Sequence, residues 1–190
     1  MALPLTKLTS TDDFEKFLAG SPERERRYEL IDGYIVEKSM PTDEHSLIIG
    51  VAHGELYIYC RANNLGLPGP EHRFQVPGDY KNSRLPDLSL IVDPDYPITT
   101  KDATQRPPDF ILEVKSSDDN YDDLRERARS YIANGVRLVW LAFPRERIIE
   151  VYRPDVPSLM LTIDDTLEGY DVLPGFTLEV AKLFVTKRSG

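Results

Sequence analysis

Leu85-Pro-Asp-Leu-Ser-Leu-Ile-Val92 and Phe110-Ile-Leu-Glu-Val-Lys115 are the two stretches on which the fold turns. Each is a near-continuous apolar run of strand length, the pattern of a strand buried on both faces, and each carries one carboxylate, Asp87 and Glu113. Downstream, Tyr121 to Asn134 places Leu124, Ala128, Tyr131 and Ile132 on one helical face and ends at Gly135, a C-terminal stop. Arg137-Leu-Val-Trp-Leu-Ala-Phe143 follows as another strand, and Pro144-Arg-Glu-Arg147 turns it into Ile148-Ile-Glu-Val-Tyr152. A strand, a helix and a strand in that order predict a parallel crossover, with antiparallel hairpins on either side. Upstream, Ser10-Thr11-Asp12-Asp13 caps a short helix, Asp32-Gly33 turns a hairpin over Tyr28 to Lys38, and Thr42 to Asn63 carries Ile48, Val51, Ala52, Leu56 and Tyr59 on a core-facing stripe. The expected class is α/β: a central mixed β-sheet flanked by helices, in one domain over residues 1–190.

Ionised side chains are costly inside buried strands, so two such strands with one carboxylate each predict a polar cleft between them. Taken alone, Pro86-Asp87 is a common turn pair and Glu113-Val114-Lys115 a common surface ion pair; the apolar context separates them from those readings. Side chains alternate along a strand, so Glu113 and Lys115 share a face about 7 Å apart, while Val114 points into the core and its carbonyl offers a third oxygen. Asp109 shares the face of Glu113 but lies roughly 13 Å along the strand, too far to hold the same ion. Asp87 joins Glu113 if their strands are neighbours. Two carboxylates with a carbonyl suit Mg²⁺ or Mn²⁺, which would polarise a phosphodiester and supply hydroxide, and a lysine would orient water or stabilise the pentavalent phosphate. A carboxylate pair for glycoside hydrolysis ranks below this, because it makes no use of Lys115.

The net charge of −9 argues against a protein that coats nucleic acid nonspecifically, an affinity built from Lys and Arg, and bears less on a site whose carboxylates gather metal ions. Cys60 is the only cysteine, so no internal disulfide forms, and with three dispersed histidines it makes no usual zinc set. His45 and His53 stand about 12 Å apart along one helix, too far to share an ion. No apolar run reaches the roughly 18 residues of a membrane span, and the start Met-Ala-Leu-Pro-Leu-Thr-Lys-Leu lacks a leader pattern, so a cytoplasmic protein is expected. Trp140 and the tyrosines read as core and sheet surface. Arg125, Arg127 and Arg129 read as a solvated helix face, with contact to a DNA backbone as the alternative.

Several pieces occur in a telling order: Tyr28-Glu-Leu-Ile-Asp-Gly33, His45 opening a helix, Arg84-Leu-Pro-Asp-Leu88, and Pro107-Pro-Asp-Phe-Ile-Leu-Glu-Val114 with Ser116-Ser117. Tyr131 ahead of Gly135-Val136, then Trp140, Leu173-Pro-Gly-Phe176 and Leu183-Phe184 complete it. In this order the chain resembles the Uma-two-type restriction endonucleases of the PD-(D/E)XK nuclease superfamily, over nearly its whole length. The resemblance implies a restriction-endonuclease-like fold, a DNA substrate, a divalent metal and Asp87, Glu113 and Lys115 as the active set, with Glu29 and His45 at its edge. Many relatives have Glu-Val-Leu-Ser where this chain has Glu113-Val-Lys-Ser116, and place a lysine on the following helix at the position of Arg127. Lys115 and Arg127 are therefore both in play as the catalytic cation. Double-strand cleavage would call for a homodimer, with the Pro144 hairpin one surface for it. A noncatalytic nucleic-acid-binding or regulatory module that keeps the fold is the competing reading.

Overall fold

The computed structural model describes residues 6–7, 10–20 and 28–185. Most of the segment read for a leader lies outside them. Strand β1 (Thr6–Lys7), helix α1 (Thr11–Ala19), and strands β2 (Tyr28–Ile31) and β3 (Tyr34–Glu37) form an amino-terminal unit. Ser10 caps α1 by accepting the Asp13 N–H at 3.3 Å. The β2–β3 hairpin turns at Asp32 and Gly33, whose φ values of 50° and 80° are those a two-residue turn of primed type requires. Phe14, Leu18, Tyr28, Leu30 and Ile35 close this unit's small core.

Helix α2 (Asp43–Ala62) follows, capped by Thr42, and then strands β4 (Gly69–Pro70), β5 (Leu88–Leu90) and β6 (Phe110–Val114). Helix α3 (Tyr121–Ala133) carries the chain back to β7 (Leu138–Phe143), which continues through β8 (Ile148–Tyr152) and β9 (Leu159–Leu161). The chain closes with β10 (Thr166–Glu168), β11 (Thr177–Glu179) and the short helix α4 (Val180–Leu183). The central sheet runs β4-β5-β6-β7-β8-β9, antiparallel except between β6 and β7. That parallel pair is the predicted crossover through α3. Gly135, at φ 98°, ends α3 in a Schellman motif: its own N–H bonds the Ile132 carbonyl and the Val136 N–H that of Tyr131.

Every residue of β6 and β7 is buried. Phe110, Leu112, Leu138 and Trp140 face α2 and the carboxy-terminal segment, while Ile111, Val139 and Leu141 face α3 with Leu124, Ala128 and Tyr131. The strand expected over Leu85–Val92 is regular only at Leu88–Leu90. Pro86 has no N–H to donate, so the ladder stops there. Leu85 instead donates its N–H to the Glu29 carboxylate, and Ser83 exchanges two backbone bonds with Leu30. These contacts fasten the β2–β3 unit against the end of β5, and so fix what surrounds Asp87.

Candidate active site

Leu88 pairs with Leu112, so the residue before β5 falls beside Glu113. Asp87 completes the pairing with its side chain, accepting the Val114 N–H on Oδ2 at 2.9 Å. Directly paired residues share a sheet face, and here it is the face under α3. From that helix Tyr131 donates its hydroxyl to Glu113 Oε1 at 2.7 Å. Both carboxylates are almost wholly buried, Asp87 at 6% and Glu113 at 2% exposure.

Three further elements supply charge. Lys38, just past β3, donates to Asp87 Oδ1 at 2.8 Å and to the Leu85 carbonyl at 2.6 Å. His45, in the first turn of α2, brings Nε2 within 3.1 Å of Asp87 Oδ2; among the described residues its buried Nδ1 has no partner, so the network assigns the proton to Nε2. Arg127 reaches in from α3, Nη1 lying 3.8 Å from Glu29 Oε2 and 3.7 Å from Glu113 Oε1. Glu29 accepts the Leu85 N–H on Oε1, while its buried Oε2 has no hydrogen-bond partner among the described residues.

The two central acids respond in opposite directions. Burial works against ionising Asp87, but Lys38 and His45 outweigh it and hold the carboxyl well below its usual range. Glu113 is pushed up to about 7 by burial and by the charge of Asp87, against Lys38 and Arg127. Burial opposes the Glu29 carboxylate too, yet Arg127, Arg84 and Lys38 keep its pKa lowered. Lys38 is held charged, above its ordinary range, because Asp87, Glu113 and Glu29 outweigh its desolvation.

These groups form the floor of a cleft of about 840 Å³, whose rim includes Arg84, Ser116, Asn120 and Ser130 and the acids Glu71, Asp119, Asp123 and Glu126. The structure thus brings together Asp87, Glu113, Val114, Glu29, His45 and Arg127. Lys115 is placed differently from the expectation of a shared site with Glu113. Its ammonium lies 3.0 Å from the Ser116 carbonyl and 4.5 Å from the centroid of the Tyr121 ring, toward the start of α3. Strand alternation fixes the face a lysine leaves from, not where its flexible stem ends. Asp109 is tied down by the Val92 N–H and by Arg106 and Arg137, away from the cluster. His53 bonds the Pro68 carbonyl. The solvated-face reading holds for Arg129, which pairs with Glu126 on the surface, and is corrected for the other two: Arg127 turns into the cleft, and Arg125 bonds the buried Glu150 of β8. Attraction to carboxylates on the sheet below draws both inward.

Sequence reasoning missed Lys38. Its one signal was a cation closing a strand in which Val36 pairs with Glu29, two residues along on the same face.

The donors fit a hard divalent cation. Asp87 already binds a positive group on Oδ1, and the positive charge near Glu113 does not offset its burial and the neighbouring Asp87 charge, which together raise its pKa. Among the described residues no three His, Cys, Asp or Glu side chains are grouped to hold an ion.

A mixed sheet with a parallel central pair, and an Asp and a Glu apposed on adjacent strands, defines the class: a restriction-endonuclease-like, PD-(D/E)XK-type fold. The family model Uma2, described as "putative restriction endonuclease", matches residues 11–181, and the chain belongs to that family. Among solved structures it is similar to a protein titled a "putative nuclease belonging to DUF820" from Anabaena variabilis. The TM-score is 0.79 and the identity 22%, over 93% of this chain and 97% of that one, which establishes a common fold. No curated protein matches the chain. Among the described residues, no helix is long and apolar enough to cross a membrane.

Proposed function

We propose that this protein is a nuclease of the cytoplasm, working as one domain, that hydrolyses DNA phosphodiester bonds with Mg²⁺ or Mn²⁺. The observation that supports this best is the Asp87–Glu113 pair: two buried carboxylates side by side at the end of β5 and on β6, open to a cleft, with Glu113 short of neutralising charge. Asp87, Glu113 and the Val114 carbonyl hold the metal. When bound, it supplies polarisation of the phosphodiester and a hydroxide formed at neutral pH. Val114 N–H and His45 keep the Asp87 carboxylate oriented, and Tyr131 does the same for Glu113. Arg127 stands between Glu29 and Glu113, where its guanidinium can meet a phosphate oxygen. Lys115 takes the water-orienting role if its ammonium leaves the Tyr121 ring and swings toward Glu113. A homodimer would supply two such sites for double-strand cleavage.

The acidic rim of the cleft favours a second reading, a noncatalytic nucleic-acid-binding or regulatory module that keeps the fold without turnover. Nicking of supercoiled plasmid by purified protein separates the two. With Mg²⁺ or Mn²⁺ the nuclease relaxes and linearises plasmid, and EDTA or Asp87→Ala abolishes it; Lys115→Ala measures that residue's share. A folded wild type that cuts no plasmid, linear or single-stranded DNA, and takes up no divalent ion in calorimetry, overturns the nuclease and makes the second reading the better one.

A further inference from the structure

Lys38 makes the contacts of a bound cation. Its ammonium touches Asp87 Oδ1 and the Leu85 carbonyl, with its side chain only 13% exposed. The other Asp87 oxygen is already engaged by the Val114 N–H and His45. Oδ1 is therefore the Asp87 oxygen open to a metal ion, and an ammonium sits on it. Around it, among the described residues, three carboxyl groups (Glu29, Asp87, Glu113) are met by Lys38 and Arg127, with Arg84 acting on Glu29 from the cleft lining.

We propose that Lys38 is the resident counter-cation of the metal site, which the divalent ion displaces: the ammonium holds Asp87 in the metal-free protein, and metal binding frees it into the cleft to meet a substrate phosphate. This rests on the nuclease reading. The reason for exchange is electrostatic. A single and a double positive charge within a few ångströms repel more strongly than one ammonium–carboxylate contact attracts. A lysine is suited to leave, with a flexible stem and three rotatable donors, where a forked arginine would be held in place. Lys38 itself lines the cleft, so the freed ammonium needs no opening of the fold. Metal binding adds two positive charges to the cluster while the freed ammonium stays in the cleft, which favours a phosphodiester there.

The test is Mn²⁺ titration without DNA, by calorimetry and by the loss of the free-ion electron paramagnetic resonance signal, on wild type, Lys38→Met and Lys38→Arg. Removing the competing charge is expected to tighten Mn²⁺ binding about tenfold or more in Lys38→Met, while Lys38→Arg, whose fork stays on Asp87, is expected to bind more weakly than wild type. A folded Lys38→Met that binds no more tightly than wild type overturns the exchange. Should that variant fail to fold, the wild type still decides: reductive methylation of Lys38, followed by peptide mass spectrometry, is expected to run faster with Mg²⁺ than with EDTA, and an unchanged or slower rate refutes release. A wild type that takes up no divalent ion overturns the nuclease reading and this inference together. One that binds Mn²⁺ and nicks plasmid, but shows neither tighter binding in Lys38→Met nor faster methylation, overturns the exchange alone.

Discussion

Glu113 and Glu150 invite comparison, because the sheet places them in one row. Both pair with Leu141 of the central strand, one from each side, so both lie under α3, and both are buried. Each accepts a tyrosine hydroxyl, from Tyr131 at 2.7 Å or Tyr152 at 2.8 Å, and each meets an arginine of that helix. The arginines make the difference. Arg125 gives Glu150 a forked contact, Nη2 at 2.6 Å and Nε at 3.1 Å, which with the Tyr152 bond outweighs burial and lowers its pKa. Arg127 stays 3.7 Å from Glu113, divided between it and Glu29, while the Asp87 charge adds to the strain. A buried carboxylate with its own guanidinium is structural; one left short of positive charge and open to a cleft is a place for a cation.

The largest expected effect breaks the pair apart by activity. Glu113→Gln lowers metal-dependent plasmid nicking by at least ~100-fold, whereas Glu150→Gln leaves it at the wild-type rate; equal losses would erase the distinction. Next comes pH. The Glu113 proton is bound more tightly folded, at about 7, than at the ordinary 4.5, so stability is full below 4.5 and falls as pH rises through 7. In EDTA, thermal unfolding is expected to lose up to about 3 kcal/mol across that range, a loss that Glu113→Gln removes. The lowered pKa of Glu150 acts in reverse, its stabilisation present above 4.5 and lost as pH falls further, which Glu150→Gln should flatten on the acid side alone.

Arg125→Met leaves Glu150 buried without its main partner. Arg125 is 33% exposed, so water can partly replace it, and urea denaturation should show a loss of about 2 kcal/mol. The smallest contrast is between the tyrosines. Tyr131→Phe should cost about 1 kcal/mol and Tyr152→Phe less, since Glu150 keeps its fork; the opposite order would mean that Arg127 serves Glu113 better than its distance implies.

The elements were legible wherever local pattern is enough. The apolar run Phe110–Val114 is the strand β6, Thr42 and Asn63 bound α2, and Asp32-Gly33 is the hairpin turn. Asp87 and Glu113 stood out because a charge in a buried strand is conspicuous. The same signal is present at Glu150, within Ile148-Ile-Glu-Val-Tyr152, and there it marks an ion pair with α3. Lys38 was illegible for a different reason: 49 residues separate it from Asp87, and Glu37-Lys38-Ser39 reads as an ordinary polar strand end.

By itself the sequence determined the main helices and the central strands, the parallel crossover, the face each of those strand residues takes and the two carboxylates worth watching, because periodicity, capping and desolvation act over a few neighbouring residues. The partners of those carboxylates were decided only by the tertiary structure: Lys38 on Asp87, Arg127 divided between two acids, Lys115 turned onto Tyr121. Charge interactions act through space across elements far apart in the chain, and long cationic side chains settle wherever the folded surface offers the deepest potential.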